Sequence, residues 1–308
     1  MPDQPHEAIL DRAEAAGHAN EHFSAQLKLL QELANYGSNL IIRAYHFSNK
    51  GMADVIVCGV LLKQIVAMLD AIEILVGSGA THAAHLPART AFEASLYLEW
   101  ILVSDSEKKA TYYYVANLRE ERLWASRTIQ GTPESEDFAD AIKDLNFDIH
   151  KNRPSLAKEA QQHLAEVNRI LSQPELVKID KEFEKNRGSR KYDPEWHSLL
   201  GPKSIRRIAE TLHRLPEYDL FYAKGSQVTH SASYKDHIKF VGRGFHFKPI
   251  RHLDGINALL NFTVSLALRT YQTVLRYYRP GEMTVFSRRY VEEWREPFLH
   301  VKSVKYNF

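Results

Sequence analysis

The sequence predicts an all-α fold, a helical bundle core with peripheral helices and one Gly/Phe-rich basic loop or short hairpin. Three observations carry this expectation. Apolar residues recur at spacings of three and four through most of the chain, the period of a helix packed on one side. Two strongly apolar segments, Met52–Val76 and His85–Val103, flank Gly77-Ser-Gly79 and read as a helical hairpin. Alternating, strand-like patterning is confined to the stretch around Phe245 and Phe247.

The elements follow in order. Ile9–Ala16 reads as a short amphipathic helix stopped at Gly17. Asn20–Phe47 is a long helix with Leu27, Leu30, Leu33, Leu40 and Ile41 facing inward. In the helix after Gly79, Pro87 suits a first turn, where its missing N–H is not needed. Ser106–Thr128 is amphipathic, Gly131–Pro133 breaks it, and Glu134–Asn152 is polar, with room for a short helix and a loop. Pro154–Leu171 and Pro174–Lys185 carry many Lys and Glu and read as outer helices. Asn186–Pro202 is the clearest non-helical segment. Ser204–Leu215, Pro216–Tyr234 and Leu253–Arg279 are further helices, and Phe286–Trp294 closes the chain. The expected organisation is an N-terminal helical region over 1–50 and a core over 51–280, with 132–202 as a peripheral insertion. A tail over 281–308 completes it.

Composition narrows the function classes. With 308 residues, 44% hydrophobic and 25% charged, the chain is ordinary globular protein with ample core. Its single cysteine, Cys58, lies in an apolar run, so no intrachain disulfide framework exists. The acidic start lacks the apolar run of a signal peptide, and charges interrupt Val55–Val76, so neither secretion nor a membrane span is expected and the cytoplasm is. The net charge of +2 conceals an asymmetry. Met1–His150 holds 12 Lys/Arg against 21 Asp/Glu, a balance of −9, and Lys151–Phe308 holds 28 against 17, or +11. Such polarity suits an anionic partner such as RNA, or pairing between halves in a homo-oligomer, which is also expected. No Walker loop, dinucleotide fingerprint or zinc-type Cys/His set occurs, so no cofactor and no metal are expected. His18 and His22 share a helix face but lack a third ligand.

One constellation points to chemistry. Arg89 and Glu93 project from an otherwise apolar stripe with Leu86, Phe92, Leu96 and Trp100, and Lys63 and Asp70 of the preceding helix are within expected reach. Desolvating either charge alone costs several kcal/mol, so each needs a partner. Two readings follow, a structural ion pair or a polar site inside the bundle. Further on, Tyr218, Tyr222, Ser226 and His230 recur every four residues along a second helix. A bundle can bring Arg89 and Glu93 beside Tyr222, Ser226 and His230. There Arg89 would hold a phosphate, Glu93 orient Arg89, and His230 transfer protons. Satisfied polar packing between helices is the alternative. Serine nucleophile chemistry through Ser226 and His230 lacks its strand–turn–helix context.

The segments ARTAFEASLYLEWIL, DPEWHSLLGPKSIRRIAE and YDLFYAKGSQVTHSASY together resemble the bacterial domain-of-unknown-function family 5677. That family pairs an R-x-x-x-E helix with a later Y-x-x-x-S-x-x-x-H helix, which fall here on Arg89 and Glu93 and on Tyr222, Ser226 and His230. The resemblance covers roughly Met52–Lys235 with the last long helix behind it, and it brings no assigned activity. Its long helices and Arg/His site are similar to HEPN proteins, many of them metal-independent RNases in toxin or phage-defence systems, by analogy of fold. The usual HEPN spacing of Arg to His occurs at Arg12/His18, Arg190/His197, Arg206/His213, Arg207/His213 and Arg295/His300, a number near chance. The composite Arg89–His230 arrangement therefore carries the catalytic expectation.

A second constellation is basic and aromatic. Lys235, Lys239, Arg243, Lys248 and Arg251 interleave with Phe240, Phe245 and Phe247, the pattern of a surface for single-stranded nucleic acid. A solvated loop whose rings pack on the bundle is the other reading. The expected function is a nucleic-acid-directed effector with metal-independent RNase activity. The alternatives are a non-catalytic helical interaction or regulatory module and a small-molecule sensor.

Overall fold

The computed structural model describes residues 10–145, 154–232 and 234–304. The outer ends of the expected segments Ile9–Ala16 and Glu134–Asn152 lie outside the described residues. The chain is all-α with a single two-stranded hairpin among the described residues. It forms two compact units, Met1–Asp105 with Ile205–Phe308, and Ser106–Ser204.

In the first unit, α1 (Arg12–His46) starts at Asp11, whose side chain accepts from the Glu14 N–H. The helix runs through Gly17, where the sequence predicts a stop. Ala15, Ala19 and Phe23 are buried along the same stripe as Leu27, Leu30 and Leu33, and that packing offsets the roughly 1 kcal/mol penalty of a helical glycine. Then comes α2, built from Met52–Asp54, a wider-wound Val55–Leu62 and Lys63–Gly77. By length and composition α2 could cross a membrane, yet half of its most apolar window is buried in the fold. Leu61, Leu62, Ile65, Leu69 and Ile72 supply that buried side. Cys58 lies there too, its thiol pushed up to about 12 by burial and by Asp54, an inert group.

Helix α3 (Thr81–Val103) begins four residues before His85, so Pro87 sits inside it rather than in its first turn. Its start is fastened from outside. The Thr81 hydroxyl donates to the His252 carbonyl at 2.8 Å, and the His252 N–H donates to the Gly79 carbonyl at 2.9 Å. Phe92, Leu96 and Trp100 are buried as predicted, whereas Leu86 is exposed. Lys63 and Asp70 also face solvent, so they are not partners for Arg89 and Glu93. Leu62, Val66 and Leu69 occupy the side of α2 that turns inward.

The second unit holds α4 (Ser106–Thr128), α5 (Pro133–Ile142), α6 (Pro154–Leu171) and α7 (Pro174–Arg187). Arg119, with 2% of its side chain exposed, donates to both Asp193 oxygens at 2.6 and 3.0 Å and to Glu184 at 2.9 Å. Tyr112 donates to Glu182 at 2.5 Å, so α4 and α7 are joined by buried and half-buried charge.

The chain returns to the first unit at α8 (Ile205–Thr211). Leu215–Glu217, Tyr218–Tyr222 and Ala223–Thr229 then run on as one segment, α9. Strands β1 (Ile238–Val241) and β2 (Gly244–Phe247) pair antiparallel, Phe240 opposite Phe245 and Ile238 opposite Phe247. Of the two forms expected for this stretch, the hairpin is the one adopted. The last long helix, α10 (Ile256–Tyr278), is buried along Leu259, Leu260, Val264, Ala267 and Tyr271. The Tyr271 hydroxyl donates to the Leu33 carbonyl of α1 at 2.7 Å, beside Gly37, which leaves room for that ring. Helix α11 (Met283–Arg289) follows, and Phe286 and Trp294 stack around Tyr36.

Candidate functional site

Helix α9 lies against α3 because one residue has no side chain. A Cβ on Gly225 would come within 2.6 Å of the Arg89 Cβ and 3.0 Å of the His85 carbonyl. With glycine there, the Arg89 guanidinium reaches across α9. It donates to the Thr229 hydroxyl at 3.1 Å and the Tyr222 hydroxyl at 3.0 Å, and its carbon lies 4.6 Å from the Tyr222 ring centroid. Tyr222 is itself stacked on Tyr218 at 4.7 Å. Arg89 and Tyr222 are thus brought together as the sequence predicts.

The other predicted members lie nearby in different settings. Glu93, one turn on from Arg89, accepts from the Tyr97 hydroxyl at 3.5 Å. Ser226 is half-buried in the last turn of α9, and its carbonyl accepts from the His230 N–H at 3.0 Å. His230 caps that helix with its ring exposed, so Thr229, the residue before it, is the one that meets Arg89.

The same face of α3 carries residues that sequence reasoning missed. His82, His85, Arg89 and Glu93 are spaced by three, four and four, which makes one polar stripe. His82 stands 3.7 Å from Asp236, and its ring meets His237 edge-to-face with centroids 4.6 Å apart. Lys224 of α9 forms an ion pair with the same Asp236. Burial, followed by the charge of Lys224, pushes His85 down to about 4. His82 is lowered by burial and by His237. Burial alone would raise Asp236, but the Lys224 hydrogen bond and charge, with His82 and His85, hold it below the usual carboxylate range. His252 is lowered by burial and by Lys248. A half-buried locus of imidazoles, one carboxylate and one ammonium is where perturbed proton affinities concentrate, and such loci are often functional. The signal was present in the spacing of His82 and His85 ahead of Arg89. The sequence predicts a helix only from His85, which leaves His82 in the preceding loop, whereas the helix starts at Thr81.

The basic and aromatic stretch continues from this locus. The Lys248 N–H donates to the His237 carbonyl at 2.8 Å and closes the base of the hairpin. Register puts Ile238, Phe240, Phe245 and Phe247 on one face, and the three phenylalanines are 56–76% exposed. Of the five predicted cations, Lys235 and Arg243 are exposed, Arg243 at the hairpin tip between Gly242 and Gly244. Lys239 lies on β1 opposite His246. Lys248 pairs with Asp254 at 3.4 Å, and Arg251 donates to the Ser78 carbonyl, so these two are engaged by the fold.

A third polar group braces α3 further along the helix. Arg214, 1% exposed, donates to Ser95 at 2.9 Å, Glu99 at 3.3 Å and Glu217 at 2.6 Å, and Arg269 donates to Glu99 at 2.7 Å. Its guanidinium carbon lies 4.7 Å from the Phe92 ring centroid. Each of its three guanidinium nitrogens finds an acceptor, which is the pattern of a structural network.

A model for a family of unknown function, DUF5677, matches residues 55–244, which takes in the α3 stripe, α9 and the start of the hairpin. No curated protein and no solved structure matches the chain.

Proposed function

The chain belongs to the DUF5677 family of unknown function, and from that premise we propose that it is an RNA-directed effector that cuts single-stranded RNA by acid–base chemistry, without need of a metal ion. The observation that carries this reading is the continuity of the aromatic hairpin with the imidazole locus at its base. Exposed rings on a strand pair stack bases, each worth about 1–3 kcal/mol, whatever the sequence. The exposed Arg243 and Lys235 add phosphate attraction. RNA backbone laid along Phe240 and Phe245 and then Phe247, the ring nearest the hairpin base, leads toward His237 and His82. There two imidazoles stand ready to accept and donate protons, and Arg89 stands two turns along α3 from His82 to hold phosphate charge.

The experiment is electrophoresis of a labelled single-stranded RNA incubated with the full chain in EDTA, beside an Arg89→Gln chain assayed at a temperature where circular dichroism shows it folded. The reading expects wild-type cleavage and a loss of about 100-fold or more in the variant. Equal rates in the two chains would remove Arg89 from the mechanism.

A second reading is favoured by one observation. The contacts of Arg89 to Thr229 and Tyr222 lie within the fold, as a brace would require. On that reading the chain is a non-catalytic helical interaction module and the hairpin face docks a partner.

A further inference from the structure

We propose that His82, set beside Asp236 and its Lys224 partner, and His237, edge-on to His82, are the proton-transfer pair of the RNA-cutting site, in place of the His230 that the sequence pattern suggests. This inference rests on the RNA-cleavage reading above.

His237 directly precedes β1, and its edge-to-face contact with His82 at 4.6 Å puts two imidazoles where one phosphodiester group can touch both. His237 is exposed and His82 half-buried, so the pair sits at a surface opening rather than in sealed packing. The groups that face His82 are Asp236, His237, Lys224, His85 and His252. Asp236 is bonded to Lys224 and stands 3.7 Å from His82, beyond hydrogen-bond length, so it acts on the ring through its charge. By contrast, His230 is exposed at a helix end, and its ring makes no hydrogen bond or ion pair among the described residues. No second imidazole among the described residues stands beside it, as His82 stands beside His237.

The step balances with these groups alone. The neutral His82 ring accepts the proton of the ribose 2′-hydroxyl, and the 2′-oxygen bonds to phosphorus. The bond from phosphorus to the 5′-oxygen breaks, and the protonated His237 ring gives its proton to that oxygen. A 2′,3′-cyclic phosphate and a 5′-hydroxyl remain, and solvent exchange resets the two rings. Asp236 and Lys224 are positioning residues in this scheme.

The test uses the full chain with His82→Gln, His237→Gln and His230→Gln. Cleavage of a single-stranded RNA is followed from pH 5 to pH 9, and affinity is measured for the 2′-O-methyl strand of the same sequence, which cannot react. The inference expects His82→Gln and His237→Gln each to lose about 100-fold or more in rate, in the range of general acid–base catalysis. Affinity for the 2′-O-methyl strand stays within about threefold, one limb of the pH profile flattens in each variant, and His230→Gln cuts normally. The exposed ring of His237 keeps the test valid if His82→Gln unfolds. Normal cleavage by His237→Gln with loss in His230→Gln overturns the inference and leaves the RNA-cleavage reading standing. A loss of rate matched by an equal loss of affinity also overturns it, because the rings would then only bind. A wild-type chain that cuts no RNA overturns both.

Discussion

The Arg89 guanidinium lies flat enough on Tyr222 to be 4.6 Å from its ring centroid while also donating to its hydroxyl at 3.0 Å. One tyrosine therefore meets the cation with both its π-face and its oxygen. The two contacts are separable, because phenylalanine keeps the first and loses the second.

Tyr222→Phe is expected to destabilise the chain by about 1–2 kcal/mol, the worth of a hydrogen bond to a charged donor that solvent can partly replace. Tyr222→Ala removes ring and bond and is expected to cost about 3 kcal/mol. Urea unfolding of the three chains measures both. Equal losses in the two variants would mean that the ring contributes nothing.

Gly225→Ala tests the closeness of α3 and α9. Alanine favours a helix over glycine by about 1 kcal/mol, so an open site would be stabilised. Here the new methyl meets the Arg89 Cβ at 2.6 Å, and overpacking of about 1–3 kcal/mol is expected to outweigh the gain. A rise in melting temperature would show the helices to be further apart.

Arg214→Ala leaves Glu99, Glu217 and Ser95 without their buried cation, which costs about 3–5 kcal/mol. Arg214→Met fills the space but leaves Arg269 as the one cation shared by Glu99 and Glu217, so it is expected to recover only part of that loss. Chemical denaturation decides between them.

The sign of a pH effect follows from His85. Its folded-state affinity for protons lies at about 4, below the ordinary imidazole value near 6.5. Between those values the unfolded chain binds the extra proton, so stability is complete above pH 6.5 and falls as pH drops toward 4. The loss is on the order of 3 kcal/mol. His85→Gln is expected to flatten that part of the stability curve, and an unchanged slope from pH 6.5 to pH 4 would contradict it.

Phe240→Ala, Phe245→Ala and Phe247→Ala change exposed rings, so thermal stability is expected to move by no more than about 0.5 kcal/mol. Affinity for single-stranded RNA is expected to fall about tenfold for each ring that stacks a base. Arg243→Ala is expected to lower the slope of affinity against salt by about one phosphate contact. Fluorescence anisotropy at several salt concentrations reads both effects.

Much of the fold was legible because it is written locally. The stripes of α1, α2, α3 and α10, the Gly77-Ser-Gly79 stop and the R-x-x-x-E and Y-x-x-x-S helices are short-range patterns, and the structure keeps them. What sequence could not supply was fixed at long range. Helix α3 starts at Thr81 because His252, 171 residues on, receives its hydroxyl. That early start is what adds His82 to the polar stripe. The alliance of His82 with Asp236 and His237, and the capture of Lys248 by Asp254 and Arg251 by Ser78, depend on how distant segments meet. Glu99 gave no local sign of its two arginine partners, because Arg214 and Arg269 lie on other elements.

The most direct measurement compares one labelled strand in ribose and deoxyribose form, each incubated with the wild-type full chain in excess EDTA. The account predicts that the ribose strand is cut to products ending in a cyclic phosphate and that the deoxyribose strand, which lacks the attacking hydroxyl, stays whole. An intact ribose strand, or equal cutting of both, would contradict it.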